Sequence, residues 1–491
     1  MDTPSAEKSQ NAAKLSSSNL AFSRRLADLP GPKGIPLLGN AHQIKSVKFH
    51  LTLENWAREF GALYKIRIGS RQLLVLSDHA VIGNLLRDRP DAVRRTSYVT
   101  QVLTETGISG LFTAEMSEWR KQRKLVMRAL TADVIRNFFP TLISMIERLL
   151  RRWQAAVADA DPIDMLRDLK AFTLDVTVAM AMGQDINTLE HDDNPLQQDI
   201  EAVFNRIGRR VTMPFPYWRY VKLPIDRAAD ACMARIIEAV SSFITQTRNR
   251  LDQNPSLRAK PTNMLEALVA ARDEPDSEFT DADVIGNAVT MVFAGEDTTA
   301  NTLAWLMNLL ASDPQATAHI AAEADAACGE VGVLQEFHAL EHLVYSEAAI
   351  HEAMRLKPVA PALALEVNSD LVIEEDLLIP KGTEIMAMLR RAAQEDAQFT
   401  QPDDFRPERW LSDPHATTSG DITRQLFAFG GGTRLCPGRY LAMTEMKMVM
   451  SMVVRNFALE LDADAPPVEE IFAFTMKPSA VPVLLRQRQF N

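Results

Sequence analysis

Along most of the chain, apolar residues recur every three or four positions, the spacing that gives a helix one buried face. This periodicity runs from about Ala80 to Leu356 and predicts an overwhelmingly helical stretch. Its longest mostly apolar run, Asp283 to Ser312, must stop at Asp313-Pro314, because proline disfavours helix in the residue before it. A last helical pattern, Gly438 to about Asn456, carries Leu441, Met448 and Met452 on its apolar side. Two regions break the rule. Tyr64 to Ile68 and Gln72 to Leu76 flank Gly69-Ser70 and predict a hairpin. Leu371 to Met388 reads as a second β region around the turn Ile379-Pro380-Lys381-Gly382-Thr383. Ahead of both, Leu29 to Asn40 is stiffened by Pro30, Pro32 and Pro36. There are no internal repeats, and no linker is long enough to divide the chain into separate domains.

Composition narrows the class. A length of 491 residues alone would suggest two or three domains. With 46% hydrophobic and 24% charged residues, the chain reads as an ordinary globular protein with a large core. A formal net charge of -11 argues against general nucleic-acid binding. The three cysteines, Cys232, Cys328 and Cys436, are far apart, too few for an iron–sulfur cluster, and point to a reducing compartment. Residues 1–28 are rich in Ser, Asn and Lys and contain no apolar stretch suited to a signal or an anchor, while Asp2 and Glu7 spoil a mitochondrial presequence. They predict a disordered tail on a soluble, cytoplasmic, monomeric protein without a membrane span.

The most specific chemistry lies at Phe429-Gly430-Gly431-Gly432-Thr433-Arg434-Leu435-Cys436-Pro437-Gly438. Pro437 suits the first position of a helix, so Cys436 is expected at a helix N-terminus, where free N–H groups favour a thiolate. The glycines would let something flat and bulky approach. A buried structural cysteine behind a loose loop is the plainer alternative. A second unusual segment, Ala294-Gly295-Glu296-Asp297-Thr298-Thr299, interrupts the long apolar helix with a glycine, two acids and two threonines. Thr290, Ala294 and Thr298 share one face, and threonine can bond the carbonyl four residues back and bend a helix. Taken alone, that segment would be a kinked core helix.

Phe429, Gly432, Arg434, Cys436 and Gly438 match Phe-x-x-Gly-x-Arg-x-Cys-x-Gly, and the chain from about Leu29 to its end resembles the cytochrome P-450 family of haem-thiolate monooxygenases. The resemblance implies one domain over residues 29–491, mainly α with a small β-rich lobe, which overrules the length prior. It implies haem b with Cys436 as the iron ligand, Ala294 beside the oxygen-binding groove, and Asp297 and Thr298 delivering protons. Trp119, Arg123 and Arg434 would hold the haem propionates. At Leu365, followed by Glu366, the arginine that many family members place there is missing. Glu352 and Arg355 would join Arg409 in a structural triad. Arg120, Lys124 and Arg128 form a basic helix face, either simply solvated or a docking patch for an acidic electron donor. The expected partners are O2, a hydrophobic substrate, and a separate ferredoxin or flavodoxin-type donor with its NAD(P)H reductase, since no such domain fits after Cys436. Tyr98 to Phe112, Val289 to Ala294, Val359 to Leu363 and Phe474 to Met476 would line a pocket for a lipid, terpenoid or aromatic compound. Lacking the membrane helix of microsomal members, the chain looks bacterial. A peroxygenase and a haem-thiolate sensor are the rival readings, the first disfavoured by Asp297-Thr298.

Overall fold

The computed structural model describes residues 24–488, except 192–194, 330, 375, 396–398 and 412–425. Its longer helices in chain order are α1 (Phe49–Phe60), α2 (His79–Arg87), α3 (Ser97–Thr106), α4 (Met116–Ala129), α5 (Ala132–Asp159), α6 (Met165–Met182) and α7 (Pro195–Thr212). After these come α8 (Pro224–Gln253), α9 (Met264–Arg272), α10 (Asp281–Ala311), α11 (Pro314–Cys328), α12 (Val344–Leu356) and α13 (Arg439–Asn456). The strands are β1 (Arg24–Arg25), β2 (Leu63–Ile68), β3 (Arg71–Leu76), β4 (Val93–Arg95), β5 (Leu363–Val367), β6 (Leu371–Ile373), β7 (Leu377–Ile379), β8 (Glu384–Ala387), β9 (Phe457–Leu461), β10 (Glu470–Ala473), β11 (Thr475–Pro478) and β12 (Val483–Gln487). A mainly helical body thus carries a small β lobe.

The lobe is a five-stranded sheet in the order β2-β3-β8-β5-β4, in which only the β3–β8 pair is parallel. The alternation of side chains along a strand decides what each face of β3 meets. Leu74 and Leu76 pack with Ile385 and Leu365, while Leu73 and Val75 pack with Phe49 and Leu53 of α1. The four strands from β9 to β12 form two further antiparallel pairs that the sequence pattern did not reveal. Residues 24–28, which fall within the expected tail, carry secondary structure. Arg24 and Arg25 pair in parallel with Leu377 and Leu378, and Leu26–Asp28 make a 3-10 turn. Residues 1–23 lie outside the described ones.

Helix α10 is the axis of the body. Thr280 and Asp283 cap its start reciprocally: the Asp283 N–H donates to Thr280 Oγ1 at 3.2 Å, and the Thr280 N–H donates to Asp283 Oδ2 at 2.9 Å. It ends at Ala311, and Asp313 then caps α11 through the Ala316 N–H at 2.9 Å. Buried residues occur on nearly every side of α10, as expected of a helix enclosed by others. Gly295 sets how closely α6 can approach, since a Cβ there would collide with the Thr177 side chain. The Thr173 hydroxyl, one turn earlier on α6, donates to the Glu296 carbonyl at 2.7 Å.

On α12, the expected triad is present and more fully bonded than the sequence implied. Arg355 grips Glu352 with two bonds, 2.9 and 2.8 Å, and Arg409 Nε adds a third at 2.8 Å. Trp410 Nε1 and the Arg406 N–H also donate to the same carboxylate, at 2.8 and 3.0 Å.

Candidate active site

The cysteine loop is closed by its own backbone. The Cys436 N–H donates to Phe429 O at 2.9 Å, the Gly430 N–H to Phe427 O at 2.8 Å, and Gly432–Arg434 coil into one 3-10 turn. Helix α13 starts at Arg439 with Gly438 as its cap, so Pro437 stands before the helix rather than at its first position. Two of the glycines are packed against another element. Gly432 has φ +61°, and a Cβ there would run into the Leu86 carbonyl; at Gly431 the neighbour is again the Leu86 side chain. The C-terminal end of α2 thus leaves no room for a side chain at these two positions. Arg123 reaches the loop as well. Its Nη2 donates to Leu435 O at 2.7 Å, which fastens the residue next to Cys436.

Cys436 is accessible, yet enough protein surrounds it that burial pushes its thiol up, against the backbone N–H groups of Gly438 and Arg439 and the charge of Arg123. The two facts agree if the surface it shows belongs to an interior space. Helix α10 supports this. Ala294 is exposed although Val292, Phe293, Glu296 and Asp297 around it are buried, and Thr298 is half-buried. The Thr298 hydroxyl donates to Ala294 O at 2.9 Å, so the predicted back-bond forms on the exposed face. Asp297 turns elsewhere. Its carboxylate pairs with Lys170 Nζ of α6 at 2.9 Å and accepts the Thr475 hydroxyl of β11.

Four arginines crowd one side of this space. Arg434 lies 4.4 Å over the Trp119 ring and bonds Glu115 and the Ala114 carbonyl, the latter at 2.8 Å. Burial brings its pKa down to about 10, although Glu115 pulls it up. Arg95 falls to about 9 through burial and the charge of Arg89, and burial lowers Arg89 too. Arg123 also carries a pKa lowered by burial, with Cys436 opposing. Arg89 Nε and Arg434 Nε are buried without a hydrogen-bond partner, and Arg89 Nη2 has only an ion pair with Glu115 at 3.7 Å. Such groups are costly unless an anion meets them. Arg89 and Arg95 were not singled out in the sequence; the only signal was the basic run Arg87-Asp88-Arg89 and Arg94-Arg95. Strand register supplies the missing reason, because Arg95 on β4 sits directly opposite Leu365 on β5. Glu366, next to Leu365, is engaged by Arg94 at 2.6 Å.

Phenylalanines from three of the expected lining regions meet one another. Phe112, Phe204, Phe293 and Phe474 stack or meet edge-on at centroid distances of 6.3, 5.1 and 6.2 Å for the pairs 112–474, 204–293 and 204–474. Phe204 on α7 is an addition to the expected lining. Phe474 has φ +75°, and the Met476 N–H donates to Val359 O at 2.8 Å, which brings two of the predicted regions together. Tyr98 behaves differently. Its hydroxyl donates toward Arg210 O and Met213 O, at 2.9 and 3.1 Å, and tethers α3 to the end of α7.

A family model described as Cytochrome P450 matches residues 29–485. The chain belongs to the cytochrome P-450 family. Members of the family hold haem through an axial cysteine thiolate and act as monooxygenases, and the enzyme class of this chain follows. It is 25% identical over 462 residues to a self-sufficient cytochrome P-450 monooxygenase of Oidiodendron maius, an alignment covering 92% of this chain and 41% of that protein. A cytochrome P-450 monooxygenase of Aspergillus ruber is 25% identical over 90% of this chain and 82% of its own length. Cytochrome P-450 3A13 of Mus musculus is 23% identical over 88% and 85%. These relatives are fungal and mammalian, so they do not carry the bacterial affiliation expected from the sequence. Among the described residues, no helix is long and apolar enough to cross a membrane. The haem fits what is present: an accessible cysteine inside the protein, an uncovered alanine on the facing helix, and orphaned arginine nitrogens suited to its carboxylates.

Proposed function

We propose that this cytochrome P-450 inserts one oxygen atom from O2 into a hydrophobic small molecule of lipid, terpenoid or aromatic type. The observation that carries the site assignment is Cys436, accessible but enclosed, on a loop held shut by its own backbone and by Arg123. Cys436 would be the axial ligand, and the haem, when bound there, supplies the centre at which O2 is activated. Arg434 stacked on Trp119, with Arg89 and Arg95, would pair the propionates; Arg95 takes the place left by Leu365. Arg123 would serve the loop and the thiolate charge instead. Ala294 leaves room for a small ligand, and Thr298 holds a hydroxyl beside it. Asp297 would pass protons to that hydroxyl after leaving Lys170. Phe112, Phe204, Phe293 and Phe474 would exclude water and select apolar substrates. Electrons would come from NAD(P)H through separate ferredoxin or flavodoxin-type partners, docking on the exposed Arg120, Lys124 and Arg128. The protein would act in the cytoplasm as a monomer.

The test is spectroscopic. The CO complex of the reduced protein should absorb at the long-wavelength position of thiolate ligation, and Cys436→His should abolish that band. If the band survives the substitution, the cysteine assignment fails. A screen of apolar compounds for the Soret shift on displacement of iron-bound water would then identify the substrate class.

A further inference from the structure

Arg95 is held differently from the arginines beside it. Arg434 bonds Glu115 and, at 2.8 Å, the Ala114 carbonyl, and Arg123 bonds the Leu435 carbonyl at 2.7 Å. The Arg95 side chain makes one hydrogen bond, from Nε to the Phe112 carbonyl at 3.2 Å, while its backbone N–H donates to Glu115 Oε1 at 3.1 Å. Its two amino groups have no acceptor among the described residues. A ring fixes the guanidinium instead: Arg95 Cζ lies 3.8 Å over the centre of Phe112. A cation so placed is attracted by the negative face of the ring, more strongly where water is scarce. Arg95 is half-buried, yet burial brings its pKa down to about 9, so the surface it keeps belongs to an interior space, as for Cys436. The same Phe112 ring meets Phe474 at 6.3 Å with the planes 75° apart, and Phe474 stacks on Phe204 at 6.2 Å. One ring thus belongs both to the arginine group and to the aromatic row.

We propose that Phe112 is the positioning residue that aims Arg95 at the haem carboxylates, and that through Phe474 it joins haem anchoring to the aromatic row of the substrate pocket. The argument turns on what each kind of partner takes from a guanidinium. A carboxylate uses up N–H donors, as Glu384 does on Arg71, where Nε and Nη2 are both spent. A ring face uses none, so it holds the group in place and leaves both amino groups free for an incoming anion. Phe112 supplies the ring and, from its own backbone, the acceptor for Nε, so one residue sets both the position and the direction of Arg95. A long side chain fixed before its ligand arrives loses less entropy when it binds. Charge agrees with the assignment. Arg89, Arg95 and Arg434 gather around the single carboxylate of Glu115, and the two positive charges left over match two propionates. Phe474 in turn braces the ring, so a residue of the aromatic row supports haem binding without a polar group of its own.

This rests on the reading of Arg95 as a propionate partner, so the test compares variants with and without that arginine. The measurement is the rate at which the full-length haem protein gives up haem to excess apomyoglobin, which involves no turnover and no substrate. Phe112→Leu should speed the loss by about tenfold, the worth of one desolvated cation–ring contact. Phe112→Tyr keeps the ring and should keep the wild-type rate. Phe474→Leu, which removes only the brace, should speed the loss by about twofold to threefold. Arg95→Gln should itself lose haem faster, and in that background neither Phe112→Leu nor Phe474→Leu should add anything, since no guanidinium is left to aim. If Phe112→Leu speeds the loss equally with and without Arg95, the ring is only packing and the proposal is overturned. A wild-type rate in Phe112→Leu overturns it as well. If Arg95→Gln keeps haem as well as wild type does, the propionate reading beneath the proposal has failed, and the proposal falls with it. Should Phe112→Leu not fold, Phe474→Leu decides by the same comparison: its effect must vanish in Arg95→Gln.

Discussion

Glu352 and Glu296 are the same residue type, each wholly buried on a core helix, and they are treated in opposite ways. Glu352 accepts from Arg355, Arg409, Trp410 and the Arg406 N–H, so both of its oxygens are fully used. The Glu296 carboxyl accepts from nothing. A fully bonded buried carboxylate fixes geometry and has no reason to change state. An unbonded one avoids charge and can hold or release a proton. The contrast separates a locked frame around Glu352 from an unbonded carboxyl next to Asp297 on α10.

The largest effect expected from breaking this contrast is at Glu352. Glu352→Ala strands Arg355 and Arg409 without an anion, a loss of about 3–5 kcal/mol for a broken buried pair. Denaturant unfolding should show it, together with poor haem incorporation. A fall below about 1 kcal/mol would mean that the pair is no lock at all. Asp297→Asn comes next and should affect rate rather than stability, slowing turnover by about a hundredfold. Thr298→Ala should keep haem and substrate binding but divert electrons into peroxide. Unchanged coupling of NAD(P)H use to product would remove Thr298 from proton delivery.

Glu445 on α13 sharpens the comparison. It is fully buried, its Oε2 has no partner, and burial alone raises it from 4.5 to about 8. A carboxyl raised in the folded state contributes stability that is present below about pH 4.5 and lost as pH rises through about 8. Glu445→Gln should therefore raise the unfolding midpoint at pH 8, by a few kcal/mol at most, and flatten the decline between those limits. A steeper decline would show that Glu445 is charged. The smallest effect belongs to the surface. Reversing Arg120, Lys124 and Arg128 to Glu should raise the apparent KM for the electron donor by about tenfold at low salt and flatten its salt dependence. Peroxide-driven activity should stay nearly unchanged. If it falls equally, the substitutions have disturbed Trp119 and Arg123 instead.

Local pattern was enough to specify the helical body, the β2–β3 hairpin, the extent of α10 and α13, and the cysteine loop. Those features are written in periodicity, in breakers such as Pro314, and in one dense motif. The sequence also marked the Glu352–Arg355–Arg409 set, since a resemblance carries contacts that recur. It did not reveal β9 to β12, whose pairs are short and whose partners lie beyond the reach of a local pattern. Nor could it show that Arg95 stands opposite Leu365, because register is a property of two strands and not of either. The use of Gly432 against Leu86, the turning of Asp297 toward Lys170, and the isolation of Glu296 came from packing between distant elements. Burial and charge pairing depend on what other elements bring to the same few ångströms. The spacing of residues along one chain does not contain that information.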